Sequence, residues 1–384
     1  MKIGVDATVW TNRRGYGRFA RNAVGRLVEL DSDTSYVLVI DEQSAAEADL
    51  PAAASVRKVA LSRSPGEAAS AESYRPPTDL IRLGAAVSRA RFDAFLFPSV
   101  YTYFPSLGVP TVVGLHDAIA DDFPELTLPS RRARTFWQAK QKLAISRARR
   151  LFTVSESARA EISRRLGIAP DRLAVVPEAP DAVFTPCDPA RIEAARTAAG
   201  LGLGEPYLLY AGGVSPHKDI GTLLDAYARL ADAPRLVIAG ALEGDAYLSA
   251  AAAVRERIAA LDLGARVLLP GFVPDDTLAA LYSGASVVAL PSLAEGFGLP
   301  AVEAAACGAP VVLSDIPAHR ESLGDDALFF PPRDAAVLAE RLGHLLGSDM
   351  LRRSLAERGH ARVARYTWDA AAEALLALVH EAAR

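Results

Sequence analysis

Residues 291–310 read PSLAEGFGLPAVEAAACGAP. An apolar run at 287–290 leads into them and another at 311–313 follows. The order is therefore strand, glycine-bearing loop, helix, strand. Pro300 opens the helix, where its missing N–H costs nothing, and Gly308 closes it. A helix start of this kind presents unpaired backbone N–H groups and the positive end of the helix dipole. That arrangement binds phosphate. Gly296 and Gly298 let the backbone approach a ligand closely. Glu295 falls in the loop and Glu303 about one turn into the helix. Both carboxylates are thus placed near a ligand held at that helix start.

The same alternation runs outward in both directions. Strand-like runs occur at 2–6, 36–40, 92–97, 111–115, 151–154 and 174–176, and again at 207–211, 236–239, 267–269, 287–290, 311–313 and 328–330. Helical patterns fill most of the intervals, among them 18–30, 220–230 with Asp219 as its expected N-cap, and 368–384. Such alternation predicts parallel sheets covered on both faces. Two series predict an α/β chain of two doubly wound domains facing each other. The break falls in 177–189, which carries Pro177, Pro180, Pro186 and Pro189 and has no clear period. Residues 45–77, rich in Ala, Ser, Glu and Pro, read as mobile loops.

Composition agrees. The chain has 384 residues, too long for one ordinary core. Its 51% apolar and 23% charged residues let two domains each bury a core. A formal charge of -4 offers no basic surplus for nucleic acid. Two distant cysteines, Cys187 and Cys307, argue against a disulfide scaffold and for a reducing cytoplasm. Residues 1–7 are too short an apolar stretch for a signal peptide. Residues 94–115 carry no charge and are long enough for a membrane span, but Pro98, Pro105 and Pro110 would break one helix repeatedly. They read instead as two buried strands with a loop between them.

The 291–310 stretch resembles the E-x7-E signature of retaining GT-B glycosyltransferases, in particular glycosyltransferase family 4 and its bacterial mannosyl and glycosyl group 1 members. Glu295 and Glu303 have the spacing, and Phe297, Gly298, Leu299 and Pro300 follow as in the family. The resemblance implies two Rossmann-like domains facing a central cleft. The acceptor-side domain is expected at 1–180, joined by the C-terminal helix 366–384, and the donor-side domain at 181–365. It implies that Glu295 binds donor-sugar hydroxyls and that Glu303 holds the ribose. The amides of Phe297, Gly298 and Leu299 are implied to meet sugar and phosphate.

Three further segments extend it. In 211–218, two glycines and a lysine sit between a strand and a helix. Lys218 matches the family's phosphate-binding lysine, while Gly213 stands where the family often has an arginine and His217 where some members have one. The second positive charge of the family pattern is therefore absent at both places. His116, with Asp117, ends a strand of the first half, where ligands of open α/β sheets bind. The resemblance puts it beside the donor sugar, shaping the reacting centre. Arg13-Arg14-Gly15-Tyr16-Gly17-Arg18 resembles the family's N-terminal glycine loop, so Gly15 and Gly17 join the expected donor contacts. An ordinary tight turn explains that loop almost as well. The stretches 154–157 and 271–274 and Trp368 are also family-like.

The expected reaction moves a sugar from a nucleotide diphosphate to an acceptor hydroxyl with retained configuration and no metal. His116, Lys218 and Glu295 serve catalysis, and closure of the domains excludes water. The nearest resemblance is to mannosyltransferases of bacterial surface polysaccharides, which points to GDP-mannose as co-substrate and to no other cofactor. The acceptor is a sugar, a lipid-linked carrier or a small molecule. Asp31-Ser32-Asp33 has the D-x-D pattern of metal-dependent transferases but reads as a turn, and no His/Cys cluster has zinc spacing. Residues 131–150 hold eight basic side chains and no acidic one, together with Phe136 and Trp137. They form a solvated helix face, or a contact to an anionic membrane at the inner face. Rival readings are a glycoside hydrolase using the two glutamates, a nucleotide-sugar epimerase on the same architecture, and an inactive sugar-nucleotide-binding partner subunit.

Overall fold

The structure is a computed structural model and describes residues 1–12, 15–62, 76–128, 130–241 and 250–384. The chain divides into two compact units: Met1–Glu178 with Thr367–Arg384, and Ala179–Tyr366.

Among its described residues the first unit contains seven parallel strands, β1 (Lys2–Asp6), β2 (Ser35–Asp41), β3 (Ser55–Val59), β4 (Ala94–Phe97), β5 (Thr111–Gly114), β6 (Arg150–Thr153) and β7 (Leu173–Val175), in the order β3-β2-β1-β4-β5-β6-β7. β4 and β5 are buried along their whole length, as apolar strands covered by helices on both faces must be. The uncharged stretch 94–115 is thus two strands separated by a short 3-10 turn, Val100–Thr102, and a loop. The order reverses beside β1, whose two neighbours are β2 and β4, so the carboxyl ends of β1 and β4 flank the crevice where such sheets hold ligands.

The helix Trp368–Ala383 belongs to this unit, capped by the Thr367 hydroxyl on the Ala370 amide at 3.2 Å. Asp369 pairs with Arg26, and Glu381 with Arg150 at 2.9 Å. The Trp368 ring meets Phe19 edge-on at 6.3 Å.

Among its described residues the second unit contains six parallel strands, β8 (Tyr207–Ala211), β9 (Arg235–Ala239), β10 (Val267–Gly271), β11 (Val287–Leu290), β12 (Val311–Ser314) and β13 (Leu328–Phe330), in the order β10-β9-β8-β11-β12-β13. Here the order reverses beside β8, and the stretch 291–310 leaves the carboxyl end of its neighbour β11.

Several expectations need correction. Residues 45–77 are not simply loops. They contain the end of the helix Glu42–Glu47 and the strand β3, and they end on the first residue of the helix Pro77–Ser88. β3 escapes a pattern search because it is an edge strand whose sequence, SVRKV, leaves only Val59 buried. Basic side chains on an edge discourage pairing with another chain. Within that stretch, residues 63–75 lie outside the described residues. The helix expected at 18–30 starts earlier, at Gly15, and passes through a π-helical turn at Ala20–Val24. Asp219 precedes the helix Ile220–Tyr227 but does not cap it. Its backbone is left-handed (φ +49°), and its carboxylate accepts from the Thr222 hydroxyl at 2.7 Å. Asp31-Ser32-Asp33 is a turn, with the Asp31 carboxylate accepting from the Asp33 amide and the Tyr36 hydroxyl.

Candidate donor site and its counterpart

In the second unit the loop 291–298 drops from β11 into the helix Leu299–Ala306 through Gly298, whose φ of +88° is a left-handed conformation that glycine adopts without strain. Pro300 occupies the first turn of that helix, as its pattern predicts. Glu303 lies on the helix and is buried. The Phe297 side chain is also buried, its ring edge-on to Tyr366 at 5.0 Å, which leaves its amide as the part that can meet a ligand.

The turn after β8 lies against this loop. Gly213 gives its carbonyl to the Tyr210 hydroxyl at 2.6 Å, and Pro216–Lys218 forms a 3-10 turn. The Leu293 amide donates to the His217 carbonyl at 2.8 Å, so one backbone bond pins the two signature segments together. Lys218 Nζ donates to both oxygens of Glu295, at 2.6 and 2.8 Å, and the Ser292 hydroxyl adds a third bond to Glu295 at 2.6 Å. Burial would raise the Glu295 pKa. The Lys218 ammonium overrides it, helped by His319 and Ser292, and holds the carboxyl down at about 2. An ammonium has three N–H donors, and two are engaged on Glu295. The third can meet a phosphate oxygen while the carboxylate stays in place.

The remaining predicted residues lie in the first unit. His116 follows β5. Its Nε2 donates to the Pro98 carbonyl at 2.8 Å, and its Nδ1 faces a Glu178 oxygen at 3.6 Å. Phe19 covers the ring edge-on at 4.9 Å. Both ring nitrogens thus face groups that only accept, which favours the doubly protonated ring. Burial lowers the pKa of His116, but Glu178, the Pro98 carbonyl and Asp117 outweigh it and the net shift is upward. Gly15 opens the first helix. Gly17 cannot carry a side chain, because a Cβ there would stand 2.1 Å from the Asn12 carbonyl. Arg13 and Arg14 of the same loop lie outside the described residues.

Sequence reasoning missed three contributors. Glu178 was hidden in the proline-rich break. His319 is buried in the helix Pro317–Leu323 with no local pattern around it. Ser314, at the end of β12, donates to the Ser292 carbonyl and braces the loop from behind. Among the described residues no group of three His, Cys, Asp or Glu side chains is arranged to hold a metal ion.

Comparison with known proteins agrees with this architecture. The family of group 1 glycosyl transferases matches residues 192–362, and glycosyltransferase family 4 matches residues 13–182. The O-antigen chain mannosyltransferase B of Escherichia coli is 30% identical over 281 residues, 72% of each chain. The D-inositol 3-phosphate glycosyltransferase of Nocardia farcinica is 34% identical over 244 residues, 62% of this chain and 53% of that one. Among solved structures, the sucrose-phosphate synthase of Thermosynechococcus elongatus superposes with a TM-score of 0.76 at 20% identity, covering 99% of this chain and 98% of that one. Anabaena HepE, solved with UDP-glucose, gives 0.75 at 18%, covering 99% of each. Both likenesses are of fold. The chain belongs to the group 1, family 4 glycosyltransferases and is a two-domain GT-B enzyme that transfers a glycosyl group.

Proposed function

We propose that this enzyme takes a hexose from a nucleoside-diphosphate sugar and transfers it to an acceptor hydroxyl with retention of configuration and without a metal ion. The observation that carries the reading is the bidentate Lys218–Glu295 pair on the glycine loop ahead of the helix Leu299–Ala306. It joins a phosphate-directed cation to a hydroxyl-directed carboxylate at a helix start. As the sugar–phosphate bond breaks, negative charge grows on the leaving diphosphate. Lys218 and the amides at 298–299 stabilise it, and because they are already oriented they need little reorganisation. Glu295 stays ionised, so it accepts hydroxyl hydrogens and offsets positive charge developing on the sugar ring. In the first unit, His116 as an imidazolium is a donor, unsuited to removing a proton from the acceptor.

The mannosyl relatives support mannose as the transferred sugar, and we take GDP as its carrier. The acceptor is a sugar of a growing glycan, in line with the O-antigen relative. The helix Arg131–Arg147 has a free Phe136 face and many basic side chains, which supports a peripheral hold on an anionic membrane at the cytoplasmic side. No helix among the described residues is long and apolar enough to cross a membrane. The test is transfer from radiolabelled GDP-mannose to a panel of mannosides, with the anomeric configuration of the product read by NMR and a parallel reaction in EDTA. An α-linked product at an undiminished rate in EDTA is expected. An inverted product, or loss of activity on chelation, contradicts the corresponding part of the reading.

A further inference from the structure

One ionisable side chain of the second unit lies against the donor loop and has no task in the reading above. His319 is 1% exposed. Its Nδ1 lies 3.0 Å from the Ser314 carbonyl oxygen and 3.2 Å from the Ser314 hydroxyl oxygen. The carbonyl only accepts. The Ser314 hydroxyl hydrogen is already given to the Ser292 carbonyl, so that oxygen can only accept from the ring. The proton must therefore be on Nδ1, and in the neutral ring Nε2 is an acceptor. Burial pulls the pKa of His319 down, and Lys218 adds to this. Glu295 and the Ser314 carbonyl pull the other way without restoring the ordinary value, so the ring stays neutral around pH 7.

The Cδ2–Nε2 edge of that ring faces Gly298. A Cβ on Gly298 would lie 3.2 Å from Cδ2 and 3.7 Å from Nε2. Nε2 receives no hydrogen bond from any of the described residues. It is not among the fully enclosed polar atoms, so this acceptor opens at the edge of the loop, where a ligand hydroxyl can donate to it.

We propose that His319 is a specificity-determining residue of the donor site, its Nε2 accepting a hydrogen bond from a hydroxyl of the transferred sugar beside the Glu295 carboxylate. The inference rests on the donor reading of the Lys218–Glu295 loop. It divides the labour by chemistry. An acceptor nitrogen recognises O–H and rejects phosphate oxygen, whereas Lys218 does the reverse. The substrate class that follows is a neutral hexosyl donor with a free hydroxyl at this position. A uronosyl donor would set its carboxylate against Glu295 and a lone pair, and a deoxy sugar would leave the nitrogen unsatisfied.

The test uses the full chain as wild type, His319→Leu and His319→Gln. Affinity is measured by calorimetry for the bare nucleoside diphosphate and for its hexose conjugate, and initial rates are taken with a series of monodeoxy donors. The leucine variant should lose about tenfold in affinity for the nucleotide sugar, the size of one neutral hydrogen bond. Its affinity for the bare diphosphate should stay within about twofold. Glutamine, which can place an acceptor near the same point, should recover most of the loss. One monodeoxy donor should be impaired with the wild type and no further impaired with the leucine variant. Equal weakening of diphosphate and nucleotide sugar would mean that the ring only scaffolds the loop, and would overturn the proposal. So would no weakening of either. If the leucine variant does not fold, the glutamine variant carries the test: a changed ranking of the monodeoxy donors supports the proposal and an unchanged ranking overturns it. A wild type that binds no nucleoside diphosphate at all removes the donor reading itself, an outcome distinct from failure of His319 alone.

Discussion

Each unit places a largely buried carboxylate–cation pair near the carboxyl ends of its strands, and these two pairs are built differently. Lys218 and Glu295 touch directly, through two bonds of 2.6 and 2.8 Å, on a glycine loop. Their side chains keep 16% and 11% of their surface exposed. His116 and Glu178 stand 3.6 Å apart, with side chains 8% and 7% exposed, and Phe19 lies against the imidazole. The first pair can open towards a ligand because Lys218 has a donor to spare and both side chains keep some surface exposed. The second has every ring nitrogen committed and aromatic neighbours over it. One pair is arranged to exchange partners and the other to hold a charge in place.

The contrast makes predictions that differ in size. The largest concerns Lys218→Ala, which should lower kcat/KM for transfer by about a hundred- to a thousandfold, the cost of removing one preorganised charge-stabilising donor. Steady-state rates at saturating acceptor would show it, and turnover near the wild-type level would remove Lys218 from the site. Next is stability. Glu178→Leu removes the carboxylate that faces the buried His116 ring, which must then stay unpaired or give up its proton, and should cost about 1–3 kcal/mol. Glu295→Gln, beside a lysine that can still reach water, should cost clearly less. Equal losses in thermal or urea unfolding would break the distinction between the two pairs.

The pH dependence should run in opposite directions. His116 has a folded pKa raised above its ordinary 6.5. Its contribution to stability is complete below that value and is lost as pH rises through the folded pKa. Glu295 is lowered from 4.5 to about 2. Its contribution is complete above 4.5 and fades as pH falls towards 2. Unfolding followed from pH 3 to 9 with Glu178→Gln and Lys218→Met should flatten the alkaline slope in the first variant and the acid slope in the second. The smallest effect belongs to the helix Arg131–Arg147. Phe136, 49% exposed, anchors the proposed membrane contact, and Phe136→Ser should weaken sedimentation with anionic vesicles by a few-fold. Wild-type protein that ignores such vesicles at low salt would end that idea.

The two sites were not equally legible in the sequence. The donor loop could be read because its chemistry is local: Glu295, the glycines, Pro300 and Glu303 all lie within nine residues and obey helix-start rules. Lys218 follows the same logic after β8, the strand beside β11 in the sheet. What pairs across the fold could not be read. Nothing near Glu178 in the sequence says that it will face His116, since the proline run around it signals only a break between units. His319 looks like any helical histidine until β12 brings Ser314 and the loop beside it. Most strands were visible as β-branched runs, because central parallel strands must be apolar on both faces. β3 was not, because an edge strand with Arg57 and Lys58 has no such requirement. Asp219 fits the composition of an N-cap, but its left-handed backbone turns the side chain to Thr222 instead.

The central claim is that the second unit binds a nucleoside diphosphate through Lys218. The most direct measurement is thermal unfolding of the wild type and Lys218→Ala with UDP, GDP, ADP and dTDP and their sugars. At about a hundred times the dissociation constant, a ligand that binds only the folded state adds roughly 2.7 kcal/mol. The account predicts a clear upward shift of the wild type with one nucleotide family, GDP first, and the loss of most of that shift in the variant. No shift with any nucleotide in a folded sample, or an equal shift in the variant, would contradict it.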